Sequence, residues 1–304
     1  MGKIFGMILI ISILICMPAI GQQITASQWI EKGDTLYKNG SYELAADCYA
    51  KALDIDPSDI YSWNMKGLCF YSLNRSEDAI QCYDEGIKLN PSLEALWSNK
   101  GNALSGLGKY NESLQCLDKA ISLNSQDKSA WTGKGHTLEK MNRHIQALTS
   151  YEFALKIDPL YAVAWDGKGL VLYNSGSPND AISAFDKALQ IDSQDTSAMV
   201  HKGLVLLNLS KYDEAIQYFD EALKIDPSIE SAWYCKGNAL AHLNRNEEAI
   251  QCYDRAIQID QLDGYAWYNK GVALERVHRN IDADQAFAKA RVLGIIGPRT
   301  SNGS

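Results

Sequence analysis

The apolar positions of the 304-residue chain keep a single register from residue 26 to residue 297. In "SAWYCKGNAL", residues 231 to 240, Trp233, Gly237 and Leu240 are spaced four and then three apart. The stretch that follows places Ala249, Ile250, Tyr253, Ala256 and Ile257 at i, i+1, i+4, i+7 and i+8, the stripe of an amphipathic helix. Turn residues such as Asn244-Arg245-Asn246 separate the two stripes. Phrases such as Asp226-Pro227-Ser228 join one pair of stripes to the next, and their proline suits a helix start but cannot continue a helix. The pattern predicts a helical hairpin.

The hairpin is written eight times. Gly33, Gly67, Gly101, Gly135, Gly169, Gly203, Gly237 and Gly271 follow one another at 34-residue steps. This divides the chain into repeats at 26–59, 60–93, 94–127, 128–161, 162–195, 196–229, 230–263 and 264–297, with a short lead-in at 22–25 and a flexible tail at 298–304. Length alone would allow two ordinary domains, but a fixed internal period overrides that count.

Certain residue types recur at set distances from each repeat glycine. All seven tryptophans (Trp29, Trp63, Trp97, Trp131, Trp165, Trp233 and Trp267) stand four residues before it, with Met199 in the remaining slot. Twelve residues after it stands Ala, except Ser113, and nineteen after it Ala again, except Gly86. Sixteen after it come Tyr49, Tyr83, Leu117, Tyr151, Phe185, Phe219, Tyr253 and Phe287. Pro57, Pro91, Pro159 and Pro227 close four of the repeats. With this spacing the chain resembles the tetratricopeptide repeat family. The resemblance implies an all-α fold, an α-solenoid of eight helix-turn-helix hairpins forming a right-handed superhelix. It also implies that the first helices line a concave groove that holds a peptide or extended segment.

Packing accounts for the recurring residues: Gly and the first Ala let two helices approach, and the Trp and the aromatic ring fill the space beside them. By this reading Trp165 is a large buried aromatic whose removal costs about 3–5 kcal/mol. A lysine precedes every repeat glycine, Lys32 through Lys270. The expected role of these lysines is to cover apolar surface with their stems and to reach Asp56, Asp158, Asp192, Asp226 and Asp260 at the ends of neighbouring helices. In the last repeat Asp284 and Arg291 replace the aliphatic residues of the slots that should face a following hairpin, and Asn39 replaces an aliphatic residue in the first. Both ends of the array therefore read as capped.

A net charge of −8 and a pI near 5.2 exclude a phosphate-neutralising nucleic-acid binder. The N-terminus is a separate object: Lys3, then the apolar stretch Ile4 to Met17, then Pro18 and the small-x-small form Ala19-Ile20-Gly21. Residues 1–21 read as a secretory signal peptide cut after Gly21, leaving an exported chain that starts at Gln22. The alternative is a membrane anchor at residues 4–20, although that stretch is short against the roughly 20 residues that span a bilayer. Ile15 is too bulky to precede a lipid-modified Cys16.

Chemistry was sought at the cysteines and histidines. Cys48, Cys82, Cys116 and Cys252 share a slot whose copies should lie about a helix spacing apart, beyond disulfide reach; Cys235 and Cys252 are the only pair worth testing. No CxxC, ligand-spaced His cluster, phosphate loop or nucleophile elbow occurs, so no catalytic residue, metal or cofactor is assigned. His136, His201 and His242 stand on the first helices without a nucleophile beside them. The Asn-x-Ser triplets at Asn39, Asn74, Asn111, Asn208 and Asn302 are read as turn and capping residues, the alternative being glycan acceptors on an exported chain.

Function then rests on the slots that vary. Those expected to face the groove are Ile30, Tyr37, Tyr61, Asn64, Leu68 and Tyr71 in the first two repeats. Ser98, Asn99, Asn102, His136 and Asp166 take these slots in the middle, and Tyr173, Tyr234, Asn238, Tyr265, Tyr268 and Asn269 in the later repeats. The surface reads as mostly uncharged, with tyrosines towards both ends, so binding should change little with salt. A family clamp for chaperone C-terminal carboxylates needs Lys three before and Asn one after a repeat glycine; beside Asn102 and Asn238 those positions hold Ser98 and Tyr234. The expectation is a non-catalytic scaffold outside the cytoplasm that binds a protein or peptide, with no nucleic-acid partner. The alternatives are a self-assembling structural protein and a glycan or cell-wall recognition module.

Overall fold

The computed structural model describes residues 24–295. The expectations for the signal segment, Gln22, Cys16, Asn302 and the tail lie outside the described residues. The chain forms two compact bodies, one ending at Asn90 and the other starting at Pro91. The first contains α1 (Ala26–Lys38), α2 (Tyr42–Ile55), α3 (Ile60–Ser72) and α4 (Ser76–Leu89). The second contains α5 (Glu94–Gly106), α6 (Tyr110–Leu123), α7 (Lys128–Lys140), α8 (His144–Ile157), α9 (Ala162–Asn174) and α10 (Pro178–Ile191). It continues through α11 (Thr196–Asn208), α12 (Tyr212–Ile225), α13 (Glu230–His242), α14 (Asn246–Ile259), α15 (Gly264–Arg276) and α16 (Asn280–Val292). No strand occurs among the described residues. Each odd-numbered helix begins on the first residue of a predicted repeat, and each pairs with the even-numbered helix after it.

Each hairpin turn is closed by the same backbone device. Gly40, Asn74, Gly108, Asn142, Gly176, Ser210, Asn244 and His278, all in one slot, have positive φ. The next N–H in each case reaches back to the carbonyl five residues earlier, as in Ser41 to Leu36 (2.9 Å) and Arg245 to Leu240 (2.9 Å). This is the Schellman arrangement, in which glycine and asparagine tolerate the left-handed residue. Asn74 thus has a structural reason to be asparagine that does not involve its triplet.

The hairpins close on glycine and one ring. A Cβ on Gly169 would stand 2.6 Å from Phe185 Cε1, and on Gly203 2.7 Å from Phe219 Cε1. Phe185, Phe219, Tyr49, Tyr83 and Tyr253 are accordingly the largest fully buried side chains. The tryptophans differ from expectation: all seven are only partly buried. Their indoles lie against the turns between repeats, where Trp63, Trp97, Trp165 and Trp233 donate Nε1–H to the carbonyls of Pro57, Pro91, Pro159 and Pro227 at 2.9–3.0 Å. Trp131 and Trp267 do the same to Ser125 and Gln261. Tryptophan therefore ties consecutive hairpins together, and the second-helix ring holds each hairpin closed.

The repeat lysines also correct the expectation. Lys134, Lys168, Lys236 and Lys270 lie over their own repeat's tryptophan, 5.3–5.6 Å from the ring centroid. They pair with Asp118, Glu152, Asp220 and Asp254, in the middle of the preceding second helix. The acids once assigned to them instead fold the turns between repeats. Asp56, Asp158, Asp192, Asp226 and Asp260 each accept the backbone N–H two residues on.

Departures from the repeat are compensated locally. Where Met199 stands for tryptophan, Tyr218 occupies a slot that holds Cys252 in the next repeat. The buried Lys202 lies over the Tyr218 ring at 4.2 Å and bonds both Asp186 and the Tyr218 hydroxyl. Ser113, replacing alanine, is fully buried but bonds Thr137 Oγ1 at 3.0 Å. All six described cysteines are free, Cys235 and Cys252 included. Burial pushes both of those thiols up to about 11, so they are poor nucleophiles at neutral pH.

Candidate binding surface

In the C-terminal body the first helices touch one another in sequence, α5 to α7, α7 to α9, α9 to α11, α11 to α13 and α13 to α15, whereas second helices of successive hairpins make no comparable contact. Pairs that approach more closely on one side make the array curve towards that side. Within that body the odd-numbered helices α5 to α15 therefore line one continuous inner face.

On the N-terminal body, Ile30, Tyr37, Asn64 and Leu68 are half-buried, and Ile30 and Tyr37 pack on the core cluster around Tyr49. Tyr37 meets Tyr42 edge-on at 5.2 Å. Tyr61 and Tyr71 are exposed, and Asp34 Oδ1 accepts from both Tyr61 (2.9 Å) and the buried Tyr49 (2.7 Å). On the C-terminal body Asn99 and Asn102 are half-buried, while Ser98 is buried and does not face a ligand. Tyr173 accepts a hydrogen bond from Asn208. Tyr265 is 61% exposed, and Tyr268 leans on Phe287 at 5.5 Å.

The structure gathers three of the expected groove residues, Tyr234, Asn238 and Asn269, into one network with Tyr253. Asn238 Oδ1 accepts from Tyr253 Oη at 2.8 Å and from Asn269 Nδ2 at 3.0 Å, and Asn269 Nδ2 also reaches Tyr234 Oη at 3.1 Å. Beside it, Asn238, His242, Asn269 and Arg276 help line a pocket of about 150 Å³. Tyr234 and Tyr268 both pack on the core of repeats seven and eight, so they serve stability as well as surface. The exposed tyrosines are the ones available for contact alone.

Sequence reading passed over Glu139. It fills the slot of Tyr37, Tyr71 and Tyr173 on α7, and aligning that slot across repeats would have shown a carboxylate among tyrosines. Glu139 is only 9% exposed, and its Oε1 accepts from Asn174 Nδ2 at 3.2 Å. Nearby, Asp166 Oδ1 and His201 Nδ1 are 2.8 Å apart. His242 instead stacks on Tyr212 at 4.9 Å, and His136 is exposed.

Glu230, the first residue of α13, stands close to Asp263, the N-cap of α15. Burial, then the charges of Asp263 and Asp260, push the Glu230 carboxyl up to about 7. Its folded value lies above the unfolded one, so the folded state favours the protonated form. Stability is then lost as pH rises from about 4.5 to about 7. Glu230→Gln should leave stability unchanged near pH 4 and raise it at pH 8 by on the order of 1 kcal/mol, a figure reduced for solvent screening. Urea titrations at the two pH values check this; equal stability of variant and parent at pH 8 would refute it.

Models of the tetratricopeptide repeat match residues 132–196 and 200–263, and residues 60–93 and 95–127; a further model, described as a TPR repeat, matches 33–74. The chain belongs to the tetratricopeptide repeat family. No curated protein matches the sequence. Among solved structures it is similar to the APC/C hetero-tetramer Cut9-Hcn1 (TM-score 0.71, 17% identity, 90% of this chain and 54% of that chain). It thus spans about half the length of that relative. It is also similar to YrrB, titled a TPR protein with an unusual peptide-binding site (TM-score 0.46, 26% identity, 63% and 98%). A double mutant of MamA RS-1 matches with TM-score 0.51 and 21% identity over 55% of this chain and 95% of that one. Within these tetratricopeptide repeats the carboxylate clamp has no counterpart: Ser98 is buried, and Asn238 and Tyr234 are committed to each other's network. No helix among the described residues is long and apolar enough to cross a membrane.

Proposed function

We propose that the protein is a non-catalytic scaffold that holds a peptide or an extended protein segment against its first helices. The observation that carries this reading is the unbroken line of first helices in the C-terminal body. It offers a ligand half-buried asparagines and tyrosines with polar tips, groups that contribute large contact area at little entropic cost. The repeat lysines are engaged with rings and acids and do not form an anion site. On the reading of residues 1–21 as a cleaved signal, the scaffold works outside the cytoplasm. Intact-mass measurement from the native host tests that: a chain starting at Gln22 supports it, and one retaining Met1 in the membrane fraction supports the anchor.

The binding test uses an exposed tyrosine of the C-terminal body, Tyr265, which the fold does not need. Peptides selected by display against the full chain provide the ligand. Tyr265→Ala should weaken calorimetric binding by about 2 kcal/mol, with little change in melting temperature. Unchanged binding by that variant, or sensitivity only on the even-numbered helices, would replace the groove with a self-assembly surface.

A further inference from the structure

The middle of the inner face in the C-terminal body is acidic and incompletely satisfied. Glu139 on α7, Asp166 on α9 and Asp195 at the start of α11 all act on His201, which lies on α11 beside Asp166. Glu139 is more than nine-tenths buried, and its Oε2 has no hydrogen-bond partner. Asn174 Nδ2 donates to the other oxygen, Oε1, at 3.2 Å. Lys140, the next residue along, is exposed and forms no ion pair with it. A carboxylate oxygen left unpaired in such a place is costly, because it has lost water and gained nothing in exchange.

We propose that this spot receives a basic side chain, arginine or lysine, of the bound segment, with Glu139 and Asp166 as its acceptors. The inference rests on the scaffold reading and adds to it the chemistry of the partner. A cation at this position would satisfy the orphan oxygen of Glu139, and a guanidinium can reach two carboxylates with separate N–H groups. His201 already reports the local field. Burial alone would push its imidazole down, yet Asp166, with Asp195 and Glu139 behind it, holds it above its ordinary value. The same field favours an incoming positive charge and disfavours an acidic ligand.

Display selection of random twelve-residue peptides on the full chain, at low and at high salt, tests the assignment. Selected peptides should carry Arg or Lys at a fixed position, and replacing that residue with Gln should weaken binding by about ten- to a hundred-fold, the scale of a charge-assisted hydrogen bond. Glu139→Gln should weaken the parent peptide to a similar degree and the Gln peptide hardly at all, with a melting temperature no lower than the parent's. Asp166→Asn should act in the same direction. Peptides that bind and depend on Tyr265 yet show no basic residue would overturn this inference alone. A Glu139→Gln chain that folds and binds Arg peptides as tightly as the parent would do the same. If no peptide is selected at all, this inference and the scaffold reading fail together.

Discussion

Phe219→Ala should lower the unfolding free energy by about 3–5 kcal/mol, the usual cost of emptying a fully buried aromatic site. The ring is inaccessible to solvent and packs with Leu206, Leu223 and Ala232. It also lies so close under Gly203 that a single methyl there would meet it at 2.7 Å. The helices on either side cannot collapse into the void without shifting both α11 and α12. Trp165→Ala should cost less, because that indole is only partly buried and its one hydrogen bond goes to the carbonyl of Pro159 at a surface turn. Repeat arrays distribute stability between neighbours, so amide exchange in Phe219→Ala should accelerate first in α9 to α14 and last in α5 and α6. Uniform acceleration throughout the C-terminal body, or a larger loss from Trp165→Ala, would contradict this assignment of roles.

The period, the helix pairs and their boundaries were legible in the sequence because each depends on local rules repeated eight times. Glycine or asparagine closes the Schellman turn, Asp-Pro starts the next one, and apolar spacing gives the faces. The partners of the repeat lysines were not legible. An Asp at a helix end is an obvious candidate for a lysine, but Asp158 and its equivalents were already needed to fold their turns. Burial of tryptophan was misjudged for a related reason. A large ring at a recurring slot reads as core, and only the three-dimensional path of the turn reveals a carbonyl six residues back waiting for the indole N–H. The candidate surface was half legible. Slots identified the exposed tyrosines, but the Asn238–Asn269 network and the buried Glu139 depend on contacts between repeats that no single slot displays.

One pairing inside the repeats is readable in both directions and yields the second large effect. In five of the eight repeats the slot after the repeat glycine and the ring sixteen residues beyond the glycine vary together. Asp34 goes with Tyr49 and Asn238 with Tyr253, whereas Leu170, Leu204 and Val272 go with Phe185, Phe219 and Phe287. The hydrogen bonds explain why: Tyr49 Oη donates to Asp34 at 2.7 Å and Tyr253 Oη to Asn238 at 2.8 Å, so a phenol is present where an acceptor waits for it. Asp34→Leu should therefore cost about 2–3 kcal/mol, since the buried Tyr49 hydroxyl keeps its desolvation cost and loses a charged acceptor. Adding Tyr49→Phe should recover most of that loss, because the double variant reproduces the Leu204–Phe219 pairing. Repeat two already holds the mismatch, Leu68 with Tyr83, and the Tyr83 hydroxyl is buried without a partner. Tyr83→Phe should accordingly be neutral or stabilising by up to about 1 kcal/mol. Urea unfolding of Asp34→Leu, Tyr49→Phe and their double variant closes the cycle, with Tyr83→Phe measured beside them; a double variant as unstable as the sum of its single changes would show that the two slots are not coupled.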